Sequence, residues 1–582
     1  MKRTIALLSL AVACSVGTAV AQKNDVHHNY NHNGIQRVLL ISIDGMHAVD
    51  FLNCANGISG VNNGAPYCPN LAALAQTGVN YVAASTSKPS DSYPGLAAII
   101  TGGSPAFTGI YYDVAYSRNY DGPAVAAGTG LGSGYNPPGP CTPGAAPTGF
   151  TTEYDEGIDI NYTLLNGGAP RASLTDGGIN SLDPQKIVRD PANGCQPVWP
   201  WLFDRANTIF SVIHQNGGIT AWSDKHPAYA SVSAGVGPSA LNDFYSPEIA
   251  SNVVALPGVT TPTGVSCQTI PDPNGGAWTD SFQNIQCYDT LKVNAVLNWI
   301  DGKKHLGHGN LPGVPTIFGM NFQAVSVGEK LIEASNNTTG GYLDAAATPG
   351  TALFGEFQFV DAAIAEFVSE LKNQGLFDST LIVVTAKHGQ SPIDPSRYIS
   401  QLINYTSPAT LLSNSTTPTG QPFIPNSEST NNANGIGPTE DDVSLLWLTN
   451  SSFTDAAVGI LEGDASATGI ALGQIYYGPT VSLNYNDPTV DPRTPDIIVT
   501  PNVGVTYSTS TSKLAEHGGF SHDDTNVVLL LSYPSFVPQT VKAAVGTAQV
   551  APTILQALHI DPQALDAVRA EGTGVLPAVQ FP

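Results

Sequence analysis

Four short segments, far apart in a chain of 582 residues, constrain this protein most. Each sets a chemically versatile side chain at the end of an apolar run or at the start of a helix. They are Val38–Ile43 followed by Asp44-Gly45; Asp91-Ser92-Tyr93-Pro94-Gly95 leading into Leu96–Gly102; Thr380–Thr385 followed by Ala386-Lys387-His388-Gly389; and Glu516-His517-Gly518-Gly519. Short apolar runs without polar alternation read as strands buried on both faces. The runs at Ile219–Trp222, Pro315–Asn321, Asp496–Thr500 and Asn526–Leu531 have the same character. Helical stretches at Pro200–Asn216, Leu291–Ile300 and Leu353–Asn373 alternate with them. This alternation predicts an α/β fold with a mostly parallel central sheet and helices on both faces. Such sheets build their sites at the carboxyl ends of strands, so segments distant in sequence can share one pocket.

The chain opens with Met1-Lys2-Arg3, an apolar stretch from Ile5 to Val20, and Ala19-Val20-Ala21. A basic start, a short apolar core and a small-x-small cleavage site predict a secretory signal peptide over residues 1–21. Its apolar stretch is too short to span a bilayer. Residues 22–35 read as a flexible leader, polar and rich in His and Asn. The mature chain is expected to be secreted or periplasmic, without a membrane span. Cleavage leaves Cys54, Cys68, Cys141, Cys195, Cys267 and Cys287, an even set that implies disulfides in an exported protein. Pairing neighbours in order is the simplest arrangement, and no C-x-x-C spacing points to a zinc site. The 46 acidic and 22 basic residues give a net charge of −24, which repels a nucleic-acid backbone and argues against duplex binding. A small nucleotide in a locally positive pocket is compatible with that balance.

Residues 36–582 read as one catalytic domain with two elaborations. Residues 114–195, rich in Gly and Pro, form an insertion without a core of its own. Residues 403–484 form a cap and linker: a Ser/Thr/Asn/Pro-rich stretch over 406–440, a strand at Val443–Leu448 and a helix at Asp455–Leu461.

Asp44 closes an apolar strand, where a carboxylate needs a positive partner if it is buried. Ser92 stands at a helix start, where free N–H groups and the helix dipole favour a phosphate or a developing oxyanion. Lys387 and His388 close another strand, and His517 precedes two glycines. Ala221–Pro227 is a charged cluster after a strand, with Trp222 a candidate for stacking on a substrate. His47 is given no role.

The content and order of these segments resemble the alkaline phosphatase superfamily, most nearly its type I phosphodiesterase/nucleotide pyrophosphatase branch. Ser92 lies ten residues before Gly102, with Pro94 and Thr101 in the family's places, and so falls on the nucleophile. The resemblance implies a divalent metal, zinc, with Asp44, Ser92, His388 and His517 as ligands and Asn321 as a weaker fifth. Three positions depart from the pattern. Lys387 replaces a ligand Asp, Val325 replaces a ligand His, and Gly95 replaces an Asn that holds a phosphoryl oxygen. One metal site is therefore expected rather than two. Lys387 would face a cleft, touch substrate oxygen or Ser92, and supply charge in place of a second metal. A backbone N–H at Gly95 would bind the substrate. The implied function is an exported phosphoester hydrolase of the phosphodiesterase/nucleotide pyrophosphatase type, acting on a small phosphoester or nucleotide through a phosphorylated or nucleotidylated Ser92. Two alternatives share the residues: a phosphomonoesterase or sulfatase-like hydrolase, and a non-catalytic phosphate- or nucleotide-binding protein.

Overall fold

The computed structural model describes residues 34–125, 141–154, 157–169, 178–269, 277–403, 405–430, 437–468 and 471–582. The expected signal peptide, nearly all of the leader and parts of the 114–195 insertion lie outside the described residues.

Eight strands form the central sheet: β1 (Arg37–Ile43), β2 (Gly78–Tyr81), β3 (Ala221–Ser223), β4 (Asp243–Tyr245), β5 (Ile317–Phe322), β6 (Thr380–Thr385), β7 (Leu529–Ser532) and β8 (Gln539–Val541). Their order across the sheet is β8-β2-β7-β6-β1-β5-β3-β4. From β6 to β4 every neighbouring pair is parallel. Only β7 runs against its neighbours, between β6 and β2. The α/β class and the mostly parallel sheet read from the sequence are those observed.

Burial explains the unalternating runs. Along β1, Leu39, Ile41 and Ile43 enter the core on one face, while Val38 and Leu40 enter the core on the other. All five are fully buried. The first face is covered by α3 (Phe282–Ile300) and α5 (Thr351–Asn373), the second in part by α2 (Ser92–Thr101). Helix α3 starts nine residues before the expected Leu291, because Ser281 caps it and its first turns carry polar residues that hide the apolar period. Strands β4 and β8 are edge strands of three residues each, too short for a periodic signal. Two further helices bear on the site: α1 (Ala48–Asn56) after β1 and α4 (Ala324–Lys330) after β5.

The cap has its own four-stranded sheet of Thr439–Glu440, Ser444–Leu446, Gln474–Tyr477 and Ile497–Thr500. The strand read at Asp496–Thr500 thus joins this small sheet. Among the described residues of the insertion, Phe150, Tyr154, Ile158, Leu182 and Ile187 pack into the second core of the main sheet. Disulfides join Cys54 to Cys68, Cys141 to Cys195 and Cys267 to Cys287, the neighbours-in-order pairing. No helix among the described residues is long and apolar enough to cross a membrane.

One buried acid makes stability depend on pH. Asp204 is 6% exposed; its Oδ1 accepts from the Ala206 N–H at 2.9 Å, and its Oδ2 has no hydrogen-bond partner among the described residues. Burial pushes its carboxyl from 3.8 up to about 7. A carboxyl raised on folding contributes stability below its unfolded pKa, and that contribution is lost as pH rises through the folded value. Asp204→Asn should therefore gain on the wild type between about pH 4 and pH 7, by up to about 1.4 kcal/mol per pH unit. Thermal melts of both proteins across that range check it; a difference independent of pH would contradict it.

Candidate active site

Adjacent parallel strands gather their carboxyl ends on one edge. Asp44 follows β1, Lys387 and His388 follow β6, and Asp224 and Lys225 follow β3. Asn321 lies in β5, and Gln323 just after it. Helix α2 brings Ser92 to the same edge.

Ser92 is fully buried. Its Oγ lies 3.1 Å from His388 Nε2, accepts from Lys225 Nζ at 3.3 Å and reaches Asp44 Oδ2 at 3.4 Å. His388 Nδ1 is 2.9 Å from the Gly389 carbonyl. A carbonyl only accepts, so the neutral ring carries its proton on Nδ1 and turns the Nε2 lone pair toward Ser92. Asp44 Oδ2 also accepts from Gln323 Nε2 at 2.6 Å and Asn321 Nδ2 at 3.1 Å. Burial alone would raise the Asp44 carboxyl, but the charge of Lys387 holds it well below the usual range.

The start of α2 is not open in the way the sequence suggested. Asp91 caps it, with Oδ2 accepting from the Tyr93 N–H at 3.1 Å and the Asp113 N–H at 3.0 Å. Burial pushes the Asp91 carboxyl up to about 6. His517 packs its ring on His388 at 4.1 Å between centroids and sets Nδ1 3.6 Å from Asp91 Oδ1. Burial, followed by the neighbouring His388, lowers the His517 pKa well below its usual value, so this ring is neutral. Its side chain is 14% exposed, which makes it the most accessible group around Ser92.

Three expected substrate contacts are placed elsewhere. Lys387 does not face a cleft: it is fully buried, with Nζ 2.8 Å from Asp224 Oδ1 and 3.9 Å from the centre of the Tyr229 ring. The ammonium at Ser92 belongs to Lys225 instead. The charged cluster after β3 is visible in the sequence, but nothing local distinguishes its lysine from a solvated one. Trp222 is buried in the core against Phe210 and donates Nε1–H to Asp224 Oδ2 at 3.0 Å, so it orients the partner of Lys387. Gly95 lets α2 pack on the end of β6: a Cβ there would lie 2.1 Å from the Lys387 carbonyl oxygen. Its N–H donates to the Asp91 carbonyl at 2.8 Å within the helix and is not available to a substrate.

The implied zinc ligands do not fit these contacts. Asn321 presents its amide nitrogen to Asp44, and Val325 is an aliphatic core residue on α4. Asp44, Ser92 and His388 approach one another within 3.1–3.6 Å, but the Lys225 ammonium beside Ser92 repels a dication there. Among the described residues, the group spaced to hold a metal is His47, Asp50 and Glu329.

Two cavities flank the segment after His517. One, of about 400 Å³, is lined by Ser391, Asp442 and Asp524; another, of about 630 Å³, is lined by Ser85, Ser104 and Tyr485. Lys88, Tyr476 and Phe520 border both, whereas Ser92 lines neither.

The sequence profile of the type I phosphodiesterase / nucleotide pyrophosphatase family matches residues 38–127 and 336–523. These two stretches contain Asp44, Ser92, Lys387, His388 and His517. No curated protein sequence matches the chain. Among solved structures, the chain is similar to murine ectonucleotide pyrophosphatase / phosphodiesterase 5 at 14% identity and TM-score 0.46, covering 90% of this chain and 96% of that one. The human protein of the same name is 12% identical, with coverage of 90% and 95% and TM-score 0.48. The alkaline phosphatase PafA is 11% identical, with coverage of 92% and 97% and TM-score 0.51, a likeness of fold. The chain thus matches the type I phosphodiesterase / nucleotide pyrophosphatase family model over two separate stretches, and its fold is similar to that of an alkaline phosphatase.

Proposed function

We propose that this protein is an exported phosphoester hydrolase in which Ser92 attacks phosphorus, with His388 as its base and Lys225 as its electrostatic partner. The observation that carries the reading is the triple contact of Ser92 Oγ with His388 Nε2, Lys225 Nζ and Asp44 Oδ2. A hydroxyl becomes a useful nucleophile when a base stands within hydrogen-bond reach and that base is itself oriented, as the Gly389 carbonyl orients His388. In the first step the Oγ–P bond forms, the bond from phosphorus to the leaving oxygen breaks, and the Ser92 proton passes to His388 Nε2. That proton then goes to the departing alkoxide. In the second step a water hydroxyl adds to phosphorus as its proton passes to His388, the Oγ–P bond breaks, and Ser92 regains a proton. Lys225 sits where negative charge gathers in both steps, and a fixed ammonium in a dry pocket stabilises that charge strongly. Asp44 is held ionised and balances Lys225 before substrate arrives. Access is from the side of His517, the most exposed of these groups.

The match to the family model makes a phosphodiester the first choice of substrate. Hydrolysis of chromogenic phosphodiesters, phosphomonoesters and sulfate esters by the purified protein tests the reading, with and without a chelator. The expected result is turnover of the phosphodiester that persists after chelation at a temperature where the protein stays folded. No turnover of any ester would favour the non-catalytic binding protein, and preference for the sulfate ester would favour the sulfatase-like reading.

A further inference from the structure

His47 is the residue that caps the start of α1, three residues after Asp44, and its ring joins a second buried cluster. Its Nδ1 is 2.9 Å from Asp50 Oδ2, 3.0 Å from the Tyr342 hydroxyl and 3.4 Å from Glu329 Oε1. The Tyr342 hydroxyl is 2.6 Å from Glu329 Oε1 and 3.0 Å from each Asp50 oxygen. Four donors from three distant segments thus surround one point. His47, Asp50 and Glu329 are at most 2% exposed.

Charge is the first argument. Two carboxylates are buried here, and among the described residues no Lys or Arg forms an ion pair with either. The two carboxylates outnumber the one imidazole, so even a charged ring leaves a negative charge in the dry interior, a costly arrangement unless a further cation balances it. One dication closes that balance. The second argument is independent of the first. Among the described residues, Glu329 Oε2 and both polar atoms of the Gln390 side chain have no hydrogen-bond partner, although Gln390 is 1% exposed. These atoms converge against Gly45, whose added Cβ would lie 2.5 Å from Glu329 Oε2 and 3.0 Å from Gln390 Oε1. Orphaned buried oxygens beside a clustered His, Asp and Glu are what a missing cation leaves.

We propose that His47, Asp50 and Glu329 bind one divalent first-row metal ion, with Tyr342 as a fourth donor. Nitrogen and oxygen donors at this spacing suit zinc or a similar borderline dication. The ion would be structural. Its ligands come from α1, α4 and the loop holding Tyr342, and His47 Nε2 also reaches the Gln390 backbone, two residues after His388. Metal there would hold the loop that aims His388, without touching Ser92.

The test is elemental analysis of the full mature protein purified after exposure to zinc, beside Ser92→Ala and Glu329→Gln variants. Wild type and Ser92→Ala should each retain about one equivalent, and Glu329→Gln should lose it. Because Glu329→Gln could fail to fold, wild-type protein is also melted with and without dipicolinate, where chelation should lower Tm by roughly 5 °C. Wild type that retains no metal and melts identically with chelator overturns the site. So does an ion lost with Ser92→Ala yet kept in Glu329→Gln. Neither readout needs turnover, so this result stands or falls separately from the hydrolase reading.

Discussion

Ser92→Ala should lower kcat on a phosphodiester by at least ~10³-fold and leave the melting temperature within about 1 °C of wild type. The large kinetic effect follows from removing the atom to which phosphorus would bond. The small stability effect follows from the local structure. Asp91, not Ser92, caps α2, so the helix keeps its cap when the hydroxyl is gone. Among the described residues the hydroxyl itself bonds only to His388, Lys225 and Asp44, at 3.1–3.4 Å. Asp44 keeps its amide donors from Gln323 and Asn321. Steady-state rates and thermal melts check both halves. A variant that retains more than about a tenth of the activity would remove Ser92 from the mechanism.

The two lysines that follow strands β3 and β6 should separate cleanly. Lys225→Met should cost about 10²–10³-fold in kcat with modest loss of stability, because its ammonium meets Ser92 and the side chain keeps 9% exposure. Lys387→Met should instead destabilise the fold by about 3–5 kcal/mol, because it strands the fully buried Asp224 carboxylate. The double change Lys387→Met with Asp224→Asn removes both charges and should recover much of that stability. Burial lowers the Lys387 ammonium pKa, and Asp224, then Asp44, resists the shift. The cation is therefore a structural counter-charge as well as part of the field that keeps Asp44 ionised. Melts and kcat values for all three variants check this. If Lys387→Met folds as well as wild type while Lys225→Met loses nothing, the two roles are misassigned.

The frame of this site is legible in the sequence where burial leaves an unambiguous pattern. Val38–Ile43 and Thr380–Thr385 lie under both layers of helices, so they show unbroken apolar runs, and the residues that follow them fall at strand ends. Helix α2 begins at Ser92, as its Asp-Ser-x-Pro segment predicts. What the pattern cannot carry is which lysine meets the nucleophile. That depends on β3 lying next to β5, a pairing between segments about a hundred residues apart in the chain, made at Met320 and Ser223. Lys387 is visible as a cation in an unexpected place, but its partner Asp224 is 163 residues away. Gly95 reads in sequence as a substitute substrate contact, whereas its meaning is steric and emerges only when α2 is set against the Lys387 carbonyl. His47 and Asp50 form an i, i+3 pair that reads as an ordinary helix start, and no periodicity links them to Glu329.

The central claim is that Ser92 becomes covalently phosphorylated or nucleotidylated during turnover. Rapid acid quench of the enzyme with excess chromogenic phosphodiester, followed by peptide mass spectrometry, tests it most directly. The account predicts a phosphoester adduct on the peptide containing Ser92, formed within the first turnover and absent from Ser92→Ala. Steady turnover with no protein adduct at any quench time, or with the adduct on another residue, would contradict it.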